Sequence, residues 1–130
     1  MTIGLSAAAR NARLDAITTQ AGANALLKFY NGTRPTTGGT ATTLLATLTC
    51  GATLAAASSN GVLTFNAVTA GTAAATGTAT WARLTTSGGT FVADFDVGTS
   101  APAEIVMGTT SIVSGAQVSI SSGTLTEGNA

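Results

Sequence analysis

Histidine is absent from this chain of 130 residues, and cysteine occurs once. The first absence removes the commonest general base, the commonest metal ligand, and every Ser-His-Asp or Cys-His constellation. A single thiol, Cys50, forbids an internal disulfide and, with no histidine beside it, any ordinary structural zinc site. In its Leu48-Thr49-Cys50 setting it reads as a small buried hydrophobe rather than a nucleophile. Charge is scarce as well. Asp, Glu, Lys and Arg make up 8% of the chain, with five acidic residues against five basic ones; a typical globular protein has roughly 25%. A formal net charge of zero offers neither a phosphate-binding groove nor electrostatic steering, so nucleic acid is not an expected partner.

Aromatic residues make up 5%, and much of the 45% hydrophobic content is alanine. A core of such small side chains buries modest area, which throws stability onto the backbone ladder and onto neighbouring chains. A neutral surface rich in Thr and Ala guards poorly against self-association. This composition suits a member of an assembly better than a free enzyme. No apolar run approaches the ~18 residues that cross a bilayer. Met1 to Leu5 lacks the basic region and apolar stretch of a secretory signal, so the chain is expected to be made and folded in the cytoplasm, away from membranes.

The best-patterned stretch runs from Gly77 to Val97. Read with a period of two, its first arm places Ala79, Trp81 and Arg83 on one face, and Thr78, Thr80, Ala82 and Leu84 on the other. The second arm places Phe91, Ala93, Phe95 and Val97 together, opposite Val92, Asp94 and Asp96. Ser87-Gly88-Gly89 lies between them and supplies the positive φ angles that hairpin loops require. Two alternating arms around such a loop predict a β-hairpin with one buried and one wet face.

Residues 5–22 predict the one helix, with Ser6 as N-cap and Gly22 as the stop. Ala7, Leu14, Ile17 and Ala21 form its apolar stripe, while Arg10, Arg13, Asp15 and Gln20 stay wet. That stripe can dock on the chain's own sheet or on another subunit. Strands follow at residues 25–30, with Leu27 and Phe29 inward and Lys28 outward, and at residues 42–50, with Leu44, Ala46, Leu48 and Cys50 on one face. Asn31-Gly32, Arg34-Pro35 and Gly38-Gly39 make the intervening loop. Residues 51–60 read as loop. After the Asn60-Gly61 turn, residues 62–68 read as a strand with Leu63, Phe65 and Ala67 on one face and Val62, Thr64 and Asn66 on the other.

Residues 69–75 read as a small-residue connection, and 104–107, 110–113 and 116–126 as further strands, the last alternating Val118 and Ile120 against Gln117, Ser119 and Ser121. Residues 127–130 read as a frayed polar tail. Roughly seven to eight strands spaced by turn signals, with one N-terminal helix, predict a mainly β fold, an antiparallel β-sandwich or a jelly-roll-like barrel. The expected division is a helical segment at 1–23 and a β-sandwich domain at 24–130.

Asp94 and Asp96 are the best-placed carboxylates. Two apart on a strand, they project from one face, as a calcium site or an acid/base pair would require. The alternation also explains them as the solvent face of the hairpin, with Arg83 pairing one of them across strands. The glycine pairs lack a phosphate loop's following Lys and Ser or Thr; they are turns. Trp81 with Arg83 could offer a sugar-stacking platform, although a lone Trp on a strand more often anchors a core or an interface. Tyr30, Arg34 and Pro35 could form a contact patch. No catalytic residue, metal or cofactor is expected. The residues singled out for interaction are Leu14, Ile17, Tyr30, Arg34, Trp81 and Arg83.

Several phrases of the chain resemble a family of small virion structural proteins of tailed bacteriophages. They are ARNARLDAI (9–17), LLKFYNGTRP (26–35), NGVLTF (60–65), GTATWARL (77–84), FVADFDVG (91–98) and SIVSGAQVSISSGTLT (111–126). The resemblance spans nearly the whole chain as strand and turn phrases, without a catalytic signature. It implies a capsid cement or decoration protein on the exterior of the shell. The implied partners are the major capsid protein and copies of the chain itself in a homo-oligomer. A tail, collar or fibre component and a carbohydrate-binding module remain alternatives.

Overall fold

Ser6 starts the helix as its chemistry predicts: its hydroxyl accepts from Ala9 N at 3.1 Å and so satisfies a free first-turn N–H. The computed structural model describes residues 3–127. Among them is one helix, α1 (Ala7–Ala21), which ends at Gly22 (φ 69), whose N–H reaches Thr18 O. The strands follow in chain order: β1 (Leu26–Tyr30), β2 (Leu44–Cys50), β3 (Val62–Thr64), β4 (Val68–Thr69), β5 (Gly71–Thr72), β6 (Gly77–Thr78), β7 (Trp81–Thr85), β8 (Phe91–Gly98), β9 (Ile105–Val106), β10 (Ser111–Ile112), β11 (Gln117–Val118) and β12 (Ser122–Thr126).

Eight of these make a single curled sheet in the order β3-β12-β9-β8-β7-β1-β2-β4, a half-barrel. The mainly β architecture with one N-terminal helix is therefore as the sequence predicts. Every pairing in this sheet is antiparallel except β8 with β9. Two small ribbons, β10 with β6 and β11 with β5, stand beside it. The hairpin predicted between Gly77 and Val97 is β7 and β8 at the middle of the sheet, although Gly77 and Thr78 leave it to pair with β10.

Leu27, Phe29, Ala46, Leu48, Ala82, Leu84 and Phe95 line the face turned toward the core. Helix α1 adds Leu14 and Ala21 to that core, so its apolar stripe is spent on the chain's own sheet. Polar groups fix the helix in place. Asn11 Oδ1 accepts from Gly61 N at 2.8 Å, and Asp15 Oδ1 accepts from Ser58 N at 2.8 Å. Arg13 meets Glu127 at 3.0 Å, while Arg10 reaches the Glu127 carbonyl. Glu127 is thus anchored rather than frayed; residues 128–130 of the expected tail lie outside the described residues.

Two β-bulges explain where strict alternation goes wrong. Phe29 pairs with Ala46 but Tyr30 pairs with Leu44, which leaves Leu45 as the extra residue. Leu45 is buried in place of Leu44, which is 38% exposed on the opposite face. Leu84 pairs with Ala93 but Thr85 pairs with Phe91, which makes Val92 the extra residue. Phe91 consequently leaves the face that holds Ala93 and Phe95.

The long strand expected at 62–68 breaks after Thr64, and Ala67 is exposed. Residues 69–75, expected to be a plain connection, include β5. Residues 116–126 divide into β11 and β12, with Ser119 to Ser121 between them. Alternation cannot register such breaks, because small residues suit a turn as well as a strand.

Candidate functional site

The most elaborate arrangement of polar side chains lies on the outer face of the central strands. Trp81, Arg83 and Thr85 of β7 point there, opposite Ala82 and Leu84, and β1 adds Lys28 and Tyr30. From β8 come Asp96, Asp94 and, because of the bulge, Phe91. Residues 31–43, which join β1 to β2, run across this face as a strap.

Cross-strand register sets Arg83 opposite Asp94, and the guanidinium grips the carboxylate at two points: Nε to Oδ1 at 2.7 Å and Nη2 to Oδ2 at 3.0 Å. The same guanidinium donates through Nη2 to Gly39 O at 2.9 Å, and Asp94 Oδ2 accepts from Gly38 N at 3.1 Å. One ion pair therefore holds both a donor and an acceptor of the strap. Arg83 also lies between two aromatic faces, 5.2 Å from the Trp81 ring centre and 5.1 Å from that of Phe91.

Farther along, Trp81 stacks on Tyr30 with ring centres 4.4 Å apart. The indole Nε1–H donates to Asn31 O at 3.2 Å and to Thr42 Oγ1 at 3.1 Å, binding both ends of the strap. Thr42 Oγ1 itself donates to Asn31 O, and Thr80 Oγ1 donates to Gly32 O. Arg34, on the strap, meets Asp96 at 3.2 Å in a more exposed pair.

The electrostatics follow from this packing. Burial opposes charge on Asp94, but the hydrogen bonds from Arg83 and Gly38 and the positive charges of Arg83 and Arg34 outweigh it, holding the carboxyl below its usual range. The hydrogen bond to Asp94 pushes Arg83 up against the opposing effect of burial. Burial raises Tyr30, with the nearby Arg83 acting in the other direction and Asp94 adding to the rise. A carboxylate held ionised by an arginine is a poor general acid or base, and both of its oxygens already accept hydrogen bonds. The chemistry of this cluster is attachment of the strap.

The sequence places Asp94 and Asp96 on one face, and they are, but Asp94 is only 3% exposed rather than solvated. The strap covers it, which the strand pattern cannot show. Trp81 is 0% exposed, so it is not available as a stacking platform for a sugar. Tyr30 is likewise buried, and Leu14 belongs to the core, which excludes both as surface contacts. Arg83 does pair across strands, at a side-chain exposure of 13%. Arg34 remains accessible at 40%. Ile17 lies beside Gln20, Phe91 and Val92 at a shallow depression of about 200 Å³.

A second depression, about 310 Å³, lies against β10 and β11 between Met107 and Ser119. Neither depression has an ionisable side chain in its lining. No cluster of metal-ligating side chains occurs among the described residues, and no helix there is long and apolar enough to cross a membrane.

Sequence reasoning missed the contributions of Asn31, Thr42, Gly38, Gly39 and Phe91. For Phe91 no local signal exists, since the bulge at Val92 is visible only in the pairing. For the strap, the polar loop between two hydrophobic strands was legible, but not the side of the sheet to which it folds. The chain matches no protein-family model, no curated protein and no solved structure.

Proposed function

We propose that this chain is a structural protein of a tailed-phage particle, a capsid cement or decoration protein that binds the major capsid protein on the outside of the shell. The observation that carries this reading is the use of the strongest polar side chains within the fold. The outer-face cluster fastens the strap to the sheet, and Asn11, Arg13 and Asp15 fasten the helix to loop 58–61 and to Glu127. The result is a framework stiffened on both faces of its sheet, with a surface of small, neutral residues. A stiff element of that kind suits load-bearing in a shell, where many weak contacts act together. The phage-like phrases support the same reading. They include the strap's first residues, the NGVLTF turn and both arms of the hairpin.

On this reading the chain carries out no reaction, needs no cofactor, and contacts copies of itself as well as the capsid protein. The partner-facing surface is sought where side chains remain accessible: Arg34 with the strap, although it meets Asp96, and exposed Phe91 beside half-buried Ile17. The carbohydrate-binding alternative loses its main support, because it requires an open Trp81.

Cryo-electron microscopy of the particle whose genome encodes the chain tests the reading directly. Symmetry-related density over the joints between capsomers is the expected result. Density restricted to tail, collar or fibre would move the protein to that class. Absence from the particle would refute the proposal.

A further inference from the structure

The chain contains two Asn-Gly pairs, 31–32 and 60–61. The first reads as part of a loop and the second as a turn, and the fold treats their backbone amides in opposite ways. We propose that Asn31-Gly32 is a site of spontaneous backbone modification, passing through a succinimide to aspartate and isoaspartate, and that the fold keeps Asn60-Gly61 inert. The inference does not depend on where the protein resides in a particle.

The chemistry needs only water and base. Hydroxide removes the proton of the Gly32 amide, and that nitrogen attacks Asn31 Cγ. The new Cγ–N bond closes a five-membered ring, the Cγ–Nδ2 bond breaks, and Nδ2 takes up a proton and departs as ammonia. Water then adds to either ring carbonyl. Opening one side yields aspartate; opening the other yields isoaspartate, in which the main chain runs through Cβ and Cγ. No oxidant or reductant is involved. Glycine favours the attack because no Cβ shields its nitrogen.

At Asn31 two features favour the attack: a free nucleophile and a polarised carbonyl. Gly32 is exposed, and its N–H makes no hydrogen bond among the described residues. The carbonyl to be attacked is polarised, since Asn31 Oδ1 accepts from Thr43 N at 3.2 Å. A donor at that position stabilises the negative charge that develops on Oδ1 during attack, as an oxyanion hole does.

At Asn60 the nucleophile is withheld. Asn60 (φ 50) and Gly61 (φ 75) form a type I′ turn. Ser59 and Val62 lock it from both sides, with N to O distances of 3.0 and 2.9 Å. The would-be nucleophile is buried, and its N–H donates to Asn11 Oδ1 at 2.8 Å. Deprotonating it would break that bond where hydroxide cannot easily approach.

Modification at Asn31 falls at the base of the strap. The Asn31 carbonyl accepts from both Trp81 Nε1 and Thr42 Oγ1. In isoaspartate that carbonyl leaves the main chain and becomes a side carboxylate, while the chain continues through Cβ and Cγ, so the contacts cannot persist in the same geometry, and Trp81 becomes wetter.

The test is to incubate the purified protein at mildly alkaline pH and map peptides by mass spectrometry with isoaspartate detection. Conversion at Asn31 is expected to run at least about tenfold ahead of Asn60 in the folded protein, a modest difference in barrier. In urea the two rates should converge, and Asn11→Ala should accelerate Asn60 in the folded state by freeing the Gly61 amide. A red shift of Trp81 emission should track conversion. Equal rates in the folded protein, or a faster Asn60, would overturn the proposal. So would conversion confined to the unfolded state, while conversion of Asn31 with unchanged Trp81 emission would overturn the strap consequence.

Discussion

Arg83 and Asp94 sit directly opposite one another on β7 and β8, joined at 2.7 and 3.0 Å, and the carboxylate is 3% exposed. The pair carries the strap as well as itself, through Gly38 N and Gly39 O. Removing one partner should therefore cost more than an ordinary surface ion pair. Asp94→Asn or Arg83→Met is expected to destabilise the fold by about 3 kcal/mol, because each leaves a desolvated group unmatched. The double variant should lose less than the sum of the two single losses, which urea unfolding would measure as a coupling energy. Strict additivity would show that the pair contributes nothing of its own.

Acid should unfasten the same contact. The folded-state value of Asp94 lies below the value near 3.9 of a free aspartate. A depressed carboxyl favours the fold while ionised, so its contribution is complete above about pH 5 and fades as the pH falls through the folded value. Urea midpoints measured downward from about pH 5 should fall steeply in the native protein and less steeply in Asp94→Asn. Parallel slopes would mean that other carboxylates govern acid stability.

Cys50 offers an alkaline counterpart. Burial pushes its thiol up to about 11. The folded state then holds its proton longer than the unfolded chain, so stability should decline as the pH rises from the free-thiol range toward that value. At neutral pH a water-soluble disulfide reagent should leave Cys50 untouched in the folded protein and react fully in denaturant. Rapid labelling without unfolding would contradict its burial at 2% exposure.

Gly123 is required for steric reasons. A Cβ built there would stand 2.5 Å from Phe65 Cδ2 and 2.9 Å from its Cγ. Phe65 in turn packs edge-on against Phe95, with ring centres 6.0 Å apart. Gly123→Ala should force this ring aside and cost about 1–3 kcal/mol. Thermal unfolding would register it, whereas alanine at Gly108, which meets nothing within 4 Å, should change little.

The sequence by itself determined the parts that depend on local chemistry. Ser6 and Gly22 bound the helix because one supplies an acceptor to the first turn and the other tolerates a positive φ at its end. Alternation identified β1, β7 and most of β8, and it offered Arg83 as a cross-strand partner for Asp94 or Asp96; the register selected Asp94. Asn60-Gly61 marked a two-residue turn because both positions need positive φ.

Only the tertiary structure decided what each face meets. The bulges at Leu45 and Val92 reverse the alternation on either side, and a bulge depends on the partner strand as much as on its own residues. The apolar stripe of α1 suited two destinations, and Leu14 settled in the core of its own chain because loop 58–61 and Glu127 hold the helix there. Trp81 read more readily as a core or interface anchor than as a platform, and it is buried. Its burial was decided by a strap whose backbone supplies the partners that the indole, Arg83 and Asp94 require, from residues distant in sequence.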